Sequence, residues 1–252
     1  MAANPKHIEG IYNYCDRWCE RCHFTSRCAV YKSEEDISPE ENDINNKKFW
    51  DRIANSFTDV ITQLEKIAEK RGITIAKADD AEMNLYMANI KKKRQEMVLH
   101  PLIKYSKQYM MEAMVLLENN KALKQRGETL LQLVELGIKD IGETKKEIIQ
   151  LNEYLEIVNW YLFLIRVKFM RALPTFDDYI DDDNFENDSN GSAKVALIAT
   201  DRCIVAWQYI LQALPDAQDD ILPLLALLQK IRTLGEHTFP HARAFVRVGL
   251  DE

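Results

Sequence analysis

Residues that interrupt helices or form tight turns are scarce in this sequence. The chain of 252 residues contains only 8 glycines and 7 prolines. A domain built from many short strands needs such residues at its turns, so their scarcity argues against strands and favours long helices. Hydrophobic residues make up 46% of the chain, which indicates a globular protein with a sizeable core rather than a disordered one.

Long apolar runs and an excess of positive charge are also missing. No run approaches the roughly 18–20 apolar residues that span a bilayer, and the start, MAANPKHIEGIYNY, has no apolar stretch behind basic residues. The net charge of −7 argues against a nucleic-acid or membrane-surface partner. We therefore expect a cytoplasmic protein. In that reducing compartment a cysteine cluster more often binds metal or is redox-active than forms disulfides.

The sequence motifs of several large enzyme classes are absent as well. There is no G-x-G-x-x-G, Walker A or G-x-S-x-G pattern. Di-iron sites in helical bundles need two Glu-x-x-His pairs, and the chain has one, Glu20 with His23. The sequence therefore assigns no reaction, and whether the protein is an enzyme stays open.

Apolar residues recur at helical spacing along most of the chain, which predicts an all-α fold. We expect an antiparallel bundle of long helices with a short N-terminal four-cysteine metal-binding element. The predicted helices cover residues 5–22, 45–71, about 80–100, 101–127, 130–141, 143–172, 192–213 and 220–234. In the second of these the apolar stripe is Phe49, Ile53, Phe57, Val60, Leu64 and Ile67.

Several helix ends carry signals of their own. Ser38 followed by Glu41 is a capping-box pattern. Gly72 and Gly235 stand where C-terminal caps are expected. Pro101 predicts a kink or break, because proline removes an intrahelical hydrogen bond. Asp79 or Asp80 is expected to cap the helix that follows Gly72.

We divide the chain into a cysteine metal-binding element at residues 1–30 and a helical bundle at residues 31–252. Within the bundle, residues 177–192 are dense in acidic side chains, which repel one another and predict a loop. The C-terminal tail places apolar residues three apart, which indicates an arm docked on the bundle. Its basic residues could bind an anionic ligand, dock on residues 177–188 or form plain surface. The apolar residues are Phe239, Ala242 and Phe245, and the basic residues are His237, His241, Arg243 and Arg247.

The most concentrated chemical signal lies near the N-terminus, where four of the five cysteines follow a C-x3-C-x2-C-x5-C spacing. They are Cys15, Cys19, Cys22 and Cys28. Four thiolates bind Zn(II) tetrahedrally or hold an iron–sulfur cluster. Arginines flank them, and guanidinium groups would offset the negative charge of such a centre.

The geometry of a helix bears on which metal is bound. In a continuous helix the Cα atoms of Cys15 and Cys22 lie about 10.5 Å apart, so their sulfurs stay about 5 Å apart or more. Sulfurs around one zinc ion must approach to about 3.8 Å. A continuous helix therefore favours the larger [4Fe–4S] cluster, and a break before Cys22 permits Zn(II). The sequence leaves these two alternatives, and a third with no metal, open.

Cys19, Cys22 and Cys28 form a C-x2-C-x5-C run that resembles the auxiliary-cluster segment of the SPASM family of radical enzymes. The resemblance covers residues 19–28, with no barrel or first-cluster motif beside it. It implies an iron–sulfur ligand set and carries no function over. Our hypothesis from sequence is a metal-centre-bearing helical binding or regulatory protein with a protein partner. An iron–sulfur electron-transfer protein and a zinc-stapled interaction protein are the alternatives.

Overall fold

The computed structural model describes residues 7–35, 37–74, 79–119, 121–173 and 187–251. Its regular elements in these ranges are helices without any strand, which confirms the predicted all-α fold. The helices are α1 (Ala29–Glu35), α2 (Pro39–Asn42), α3 (Lys47–Arg71), α4 (Asp80–Leu99), α5 (Pro101–Asn119), α6 (Lys121–Glu135), α7 (Ile141–Ala172), α8 (Asp188–Ala213) and α9 (Gln218–Thr238). In the part of the chain so described, we find no helix with the length and apolar character to span a membrane.

Residue contacts divide the chain into two compact units. The first comprises residues 1–12 and 19–89, and the second comprises residues 13–18 and 90–252. The predicted division between residues 1–30 and 31–252 stays a prediction.

In the first unit, α2 packs against the long helix α3. The hydroxyl of Ser38 accepts the N–H of Glu41, whose carboxylate accepts the N–H of Ser38. This confirms the predicted capping box, which satisfies two backbone donors at once. The guanidinium of Arg52 on α3 donates to the carbonyl of Glu41 and ties the two helices together (3.3 Å).

Helix α3 ends as its sequence predicts. Gly72 takes a left-handed conformation with φ of 64°. Its N–H bonds to the carbonyl of Glu69, and the N–H of Ile73 bonds to the carbonyl of Ala68. These two hydrogen bonds define a Schellman cap, in which glycine carries no steric penalty for a positive φ.

The proline signal between α4 and α5 is also confirmed. Helix α4 begins after Asp79, whose carboxylate accepts the N–H of Glu82 (2.8 Å). It ends at Leu99, and Pro101 opens α5. Between them, Nδ1 of His100 accepts the N–H of Leu102 and so satisfies a donor that begins α5 (3.2 Å).

The second unit is built on four helices, α5, α7, α8 and α9. Helix α7 makes its most extensive contact with α8, α8 also packs on α9, and α5 packs on both α7 and α9. These contacts close a ring of four helices around one core. Helices α8 and α9 are joined by only Leu214–Ala217, and so short a connection between packed helices makes them antiparallel neighbours.

Large side chains fill the centre of this bundle. Trp207, Tyr109, Tyr161 and Phe169 are almost fully buried. The indole Nε1–H of Trp207 donates to the hydroxyl of Tyr109 (3.0 Å), so both polar atoms are satisfied within the core. Burial raises the pKa of Tyr109 well above its ordinary value and keeps the phenol neutral.

The predicted helix at residues 5–22 is wrong. In the described part of it, residues 7–22, the chain forms turns, including a 3-10 turn at Cys19–Arg21. Gly10 and Arg17 both have a positive φ, which ends a right-handed helix. The carboxylate of Asp16 also accepts the N–H of Trp18 (3.2 Å), a local bond that competes with helix formation.

The predicted helix at residues 130–141 is wrong in its bounds. Helix α6 runs from Lys121 through Gly127 to Glu135. Gly137, with φ of 66°, forms a second Schellman cap, in which the N–H of Ile138 reaches the carbonyl of Leu133 (2.9 Å). Asp140 then caps α7 through its carboxylate. These two caps end α6 and begin α7 earlier than predicted, since the sequence placed the boundary between residues 141 and 143.

The two C-terminal helices are longer than predicted. Of the predicted acidic loop 177–192, residues 177–186 lie outside the described residues, and α8 already begins at Asp188 with Asn187 as its cap. Gly235 lies inside α9 rather than at its end. A Cβ at Gly235 would stand 2.8 Å from the ring of Phe169, so this glycine permits close packing of helices.

Candidate metal-binding cysteines and an exposed helix face

The four N-terminal cysteines are all half-buried, and the five cysteines, which all lie in described ranges, form no disulfide bond. Cys19, Cys22 and Cys28 belong to the first unit, and Cys15 belongs to the second. Among the described residues, no group of three or more His, Cys, Asp or Glu side chains is arranged to hold a metal ion.

The C-x2-C pair closes a tight turn. The N–H of Cys22 donates to the carbonyl of Cys19 (3.1 Å). The N–H of Phe24 then donates to the sulfur of Cys22 (3.4 Å). This contact fixes the orientation of the Cys22 side chain within the turn.

Cys28 lies between a second turn and a short helix. Its N–H donates to the carbonyl of Thr25, and its carbonyl accepts the N–H of Lys32 in the first turn of α1 (both 3.2 Å). The N–H of Ile8 donates to the carbonyl of Arg27 (3.0 Å), so the segment around Ile8 is held against this turn. Backbone hydrogen bonds therefore hold Cys28 in place.

Cys15 belongs to a segment that Asp16 anchors to the bundle of the second unit. The carboxylate of Asp16 accepts hydrogen bonds from the hydroxyl of Tyr161 (2.6 Å) and from Nη1 of Arg202 (2.7 Å). Burial would raise the pKa of Asp16, but the hydrogen bond from Tyr161, aided by Trp18 N–H and Arg202, lowers it. Asp16 is therefore held as a carboxylate.

Aromatic packing reinforces that anchor. Trp18 stacks on Trp160 with ring centroids 5.1 Å apart and meets the edge of Tyr161 at 5.8 Å. The indole N–H of Trp160 donates to the carbonyl of Asp16 (3.0 Å). Together these contacts fix the backbone on both sides of Arg17, whose left-handed φ of 59° they stabilise.

A buried lysine lies near Cys15. Lys168 on α7 is 8% exposed, and burial lowers its pKa, with the charge of Arg171 acting in the same direction. The charge of Cys15 acts the other way and favours the protonated amine. No sequence signal pointed to Lys168, Tyr161 or Arg202, because each lies 145 residues or more after Asp16 and only the fold brings them near Cys15 and Asp16.

The two arginines of the C-terminal arm have acidic partners. Phe239, Ala242 and Phe245 are buried, so the arm is docked as predicted. Arg243 pairs with Asp201 and Glu236, and Arg247 pairs with Asp251. These ion pairs argue against an anion-binding pocket formed by the two arginines.

Helix α3 exposes an apolar face in the first unit. Phe57, Val60, Leu64 and Ile67 are 67%, 53%, 57% and 47% exposed. Their spacing of three, four and three residues is that of a coiled-coil seam. We call these four residues the α3 seam. Exposed apolar surface of this kind is typical of an interaction site.

No protein-family model, curated protein or solved structure matches this chain.

Proposed function

We propose that this protein is a helical binding protein whose N-terminal cysteines bind a metal ion. The observation that carries the proposal is the turn at Cys19–Cys22, which presents two cysteines from one C-x2-C pair with a backbone N–H on one sulfur. Cys28 follows in the same unit. Cys15 as the fourth ligand rests on the C-x3-C-x2-C-x5-C spacing alone.

The break in the predicted helix makes Zn(II) feasible, and we propose it over [4Fe–4S]. A continuous helix would keep the sulfurs of Cys15 and Cys22 about 5 Å apart or more, too far for one zinc ion. The left-handed φ of Arg17 removes that restriction. Four cysteine thiolates around zinc form a closed structural site without an open position for substrate, which suits a binding or regulatory role better than catalysis.

The α3 seam supports the binding role, and we propose a second copy of the chain as its partner. The positions that flank the seam are Ser56, Ile61, Gln63 and Ala68. These flanking positions select coiled-coil partners by complementary charge. Because none of them is charged, two identical helices meet without like-charge repulsion.

Metal analysis tests the first part of the proposal. Protein purified without oxygen should be colourless and contain about one zinc ion per chain. Cys22→Ser should lose most of the zinc, because its thiolate is a ligand. Cys203→Ser is the matched control, since Cys203 is fully buried in α8 and should leave the zinc content unchanged.

Two results would contradict the zinc assignment in different ways. A brown protein containing iron and sulfide would show that the centre is an iron–sulfur cluster. That result would support the electron-transfer alternative. A protein without metal, or a Cys22→Ser variant with unchanged metal content, would refute the cysteine centre itself.

Sedimentation velocity tests whether the chain associates with a second copy of itself. The wild-type chain should associate with rising concentration, and Leu64→Glu should be monomeric because a charge in the seam opposes pairing. Thr58→Glu, an exposed change at a residue outside the seam, is the control and should behave as the wild type. A wild-type chain that stays monomeric across the accessible concentrations would refute self-association.

A further inference from the structure

The second unit contains a cavity of about 270 Å³ at one end of the bundle. Its walls come from the C-terminal ends of α5 and α8, the first half of α6, the middle of α7 and the start of α9. Apolar cavities of about 150 Å³ already hold a benzene ring, so this volume admits a small organic molecule.

The floor and walls of the cavity are apolar. Trp207, Ile210, Leu214, Ala217 and Ile221 form a floor that is 6% exposed or less at every residue. Leu116, Leu117 and Leu155 are half-buried and line the walls. A surface of this composition binds the hydrocarbon part of a ligand by removing it from water.

The rim of the cavity is polar and acidic. Asp216 and Asp220 contribute exposed carboxylates, and Asn119 and Gln125 contribute exposed amides. Among the described residues that line the cavity there is no lysine, arginine or histidine. The rim therefore offers two negative charges that have no lining cation to offset them, and it attracts a positively charged group.

We propose that this cavity binds a small amine, with an apolar body the size of a phenyl ring or short alkyl chain in the floor and a cationic head at the rim. The buried floor sets the size and shape of the body. The carboxylates of Asp216 and Asp220 select a cationic head over a neutral or anionic one. This site is independent of the cysteine centre and of the α3 seam.

Titration of the full-length protein with 2-phenylethylamine tests the proposal. The nitrogen-15 NMR signals of the tryptophan indoles report binding at the cavity, because Trp207 lines the cavity while Trp18, Trp50 and Trp160 do not. We expect a saturable shift of the Trp207 signal and little change in the other three. 2-Phenylethanol should bind more weakly than the amine, and 3-phenylpropionate more weakly still.

Charge variants separate the rim from the floor. In the Asp216→Asn, Asp220→Asn double variant the affinity for the amine should fall by about 2- to 30-fold, the range expected when two exposed ion pairs are lost. The affinity for 2-phenylethanol should be unchanged. Asp219→Asn is the matched control, an exposed neighbour that does not line the cavity, and it should bind the amine within about twofold of wild type.

Each alternative outcome overturns a defined part of the proposal. The absence of a saturable Trp207 shift with both the amine and the alcohol would overturn the binding site. The preference for a cation would be overturned if 3-phenylpropionate bound as tightly as the amine. It would also be overturned if Asp219→Asn weakened binding of the amine as much as the double variant does.

Discussion

The hydroxyl of Tyr161 on α7 donates a 2.6 Å hydrogen bond to the carboxylate of Asp16, which lies 145 residues earlier in the chain. Arg202 on α8 contacts both groups, since it donates to the carboxylate and to the phenol oxygen and lies over the tyrosine ring. This half-buried triad attaches the segment that carries Cys15 to the core of the second unit.

Removal of the phenol hydroxyl should destabilise this unit. In Tyr161→Phe the carboxylate of Asp16 loses its shortest hydrogen bond while the aromatic packing with Trp18 remains. We expect a loss of about 1.5–3 kcal/mol in the free energy of unfolding, the range for hydrogen bonds to charged groups. Urea denaturation measures it. Tyr209→Phe, which loses an exposed bond to Gln150, should cost less than about 0.5 kcal/mol.

Asp16 should also contribute to the acid sensitivity of the fold. Its pKa is lowered in the folded protein, so its stabilising effect is complete above the unfolded pKa of about 3.9. That contribution is lost as the pH falls through the lower folded pKa. Asp16→Asn should therefore be less stable than wild type at pH 7, and the gap should narrow at acidic pH. Free energies of unfolding measured across this range test the prediction. A gap that widens on acidification would contradict it.

Cys203 should be inert to alkylation in the folded protein. It is fully buried in α8, and burial raises the pKa of its thiol to about 12, so the reactive thiolate is scarce. Iodoacetamide followed by peptide mass spectrometry should modify Cys203 only after urea unfolding. After treatment with a chelator, Cys22 and Cys28 should react in the folded protein. Labelling of Cys203 at the rate of Cys28 without denaturant would contradict the prediction.

Two helical glycines should respond differently to alanine. A Cβ at Gly235 would meet Phe169 at 2.8 Å and Leu197 at 3.0 Å, and such overpacking costs about 1–3 kcal/mol. This cost equals or exceeds the gain of about 1 kcal/mol that alanine brings to a helix, so Gly235→Ala should not stabilise the protein. A Cβ at Gly127 in α6 meets nothing within 4 Å, so Gly127→Ala should stabilise by about 0.5–1 kcal/mol. Thermal and urea unfolding of the two variants compare them directly, and equal effects would refute the packing argument.

Local signals in the sequence predicted much of the fold. The capping box at Ser38, the glycine cap at Gly72 and the break at Pro101 depend on hydrogen bonds and dihedral angles within a few residues. Such interactions are encoded where they act, so their positions were predicted correctly. The docked C-terminal arm was also predicted, because its apolar residues recur at a fixed spacing.

Predictions failed where a distant contact outweighed the local pattern. Residues 7–22 have apolar residues at helical spacing, yet Asp16 and Trp18 take irregular, non-helical conformations stabilised by Tyr161 and Trp160. Gly235 resembles a cap in sequence, but its role depends on the ring of Phe169, 66 residues away. Neither partner can be inferred from spacing.

The sequence by itself determined the all-α class, the helix ends at Ser38, Gly72 and Pro101, and the C-x3-C-x2-C-x5-C pattern that makes metal binding the leading proposal. Those features arise from composition, periodicity and short-range hydrogen bonds. Only the tertiary structure decided that the cysteine run is not a helix, that Asp16 anchors the segment of Cys15 within the second unit, and that an apolar cavity with an acidic rim lies at the end of the bundle. These features depend on side chains far apart in sequence, which come together only when the helices pack.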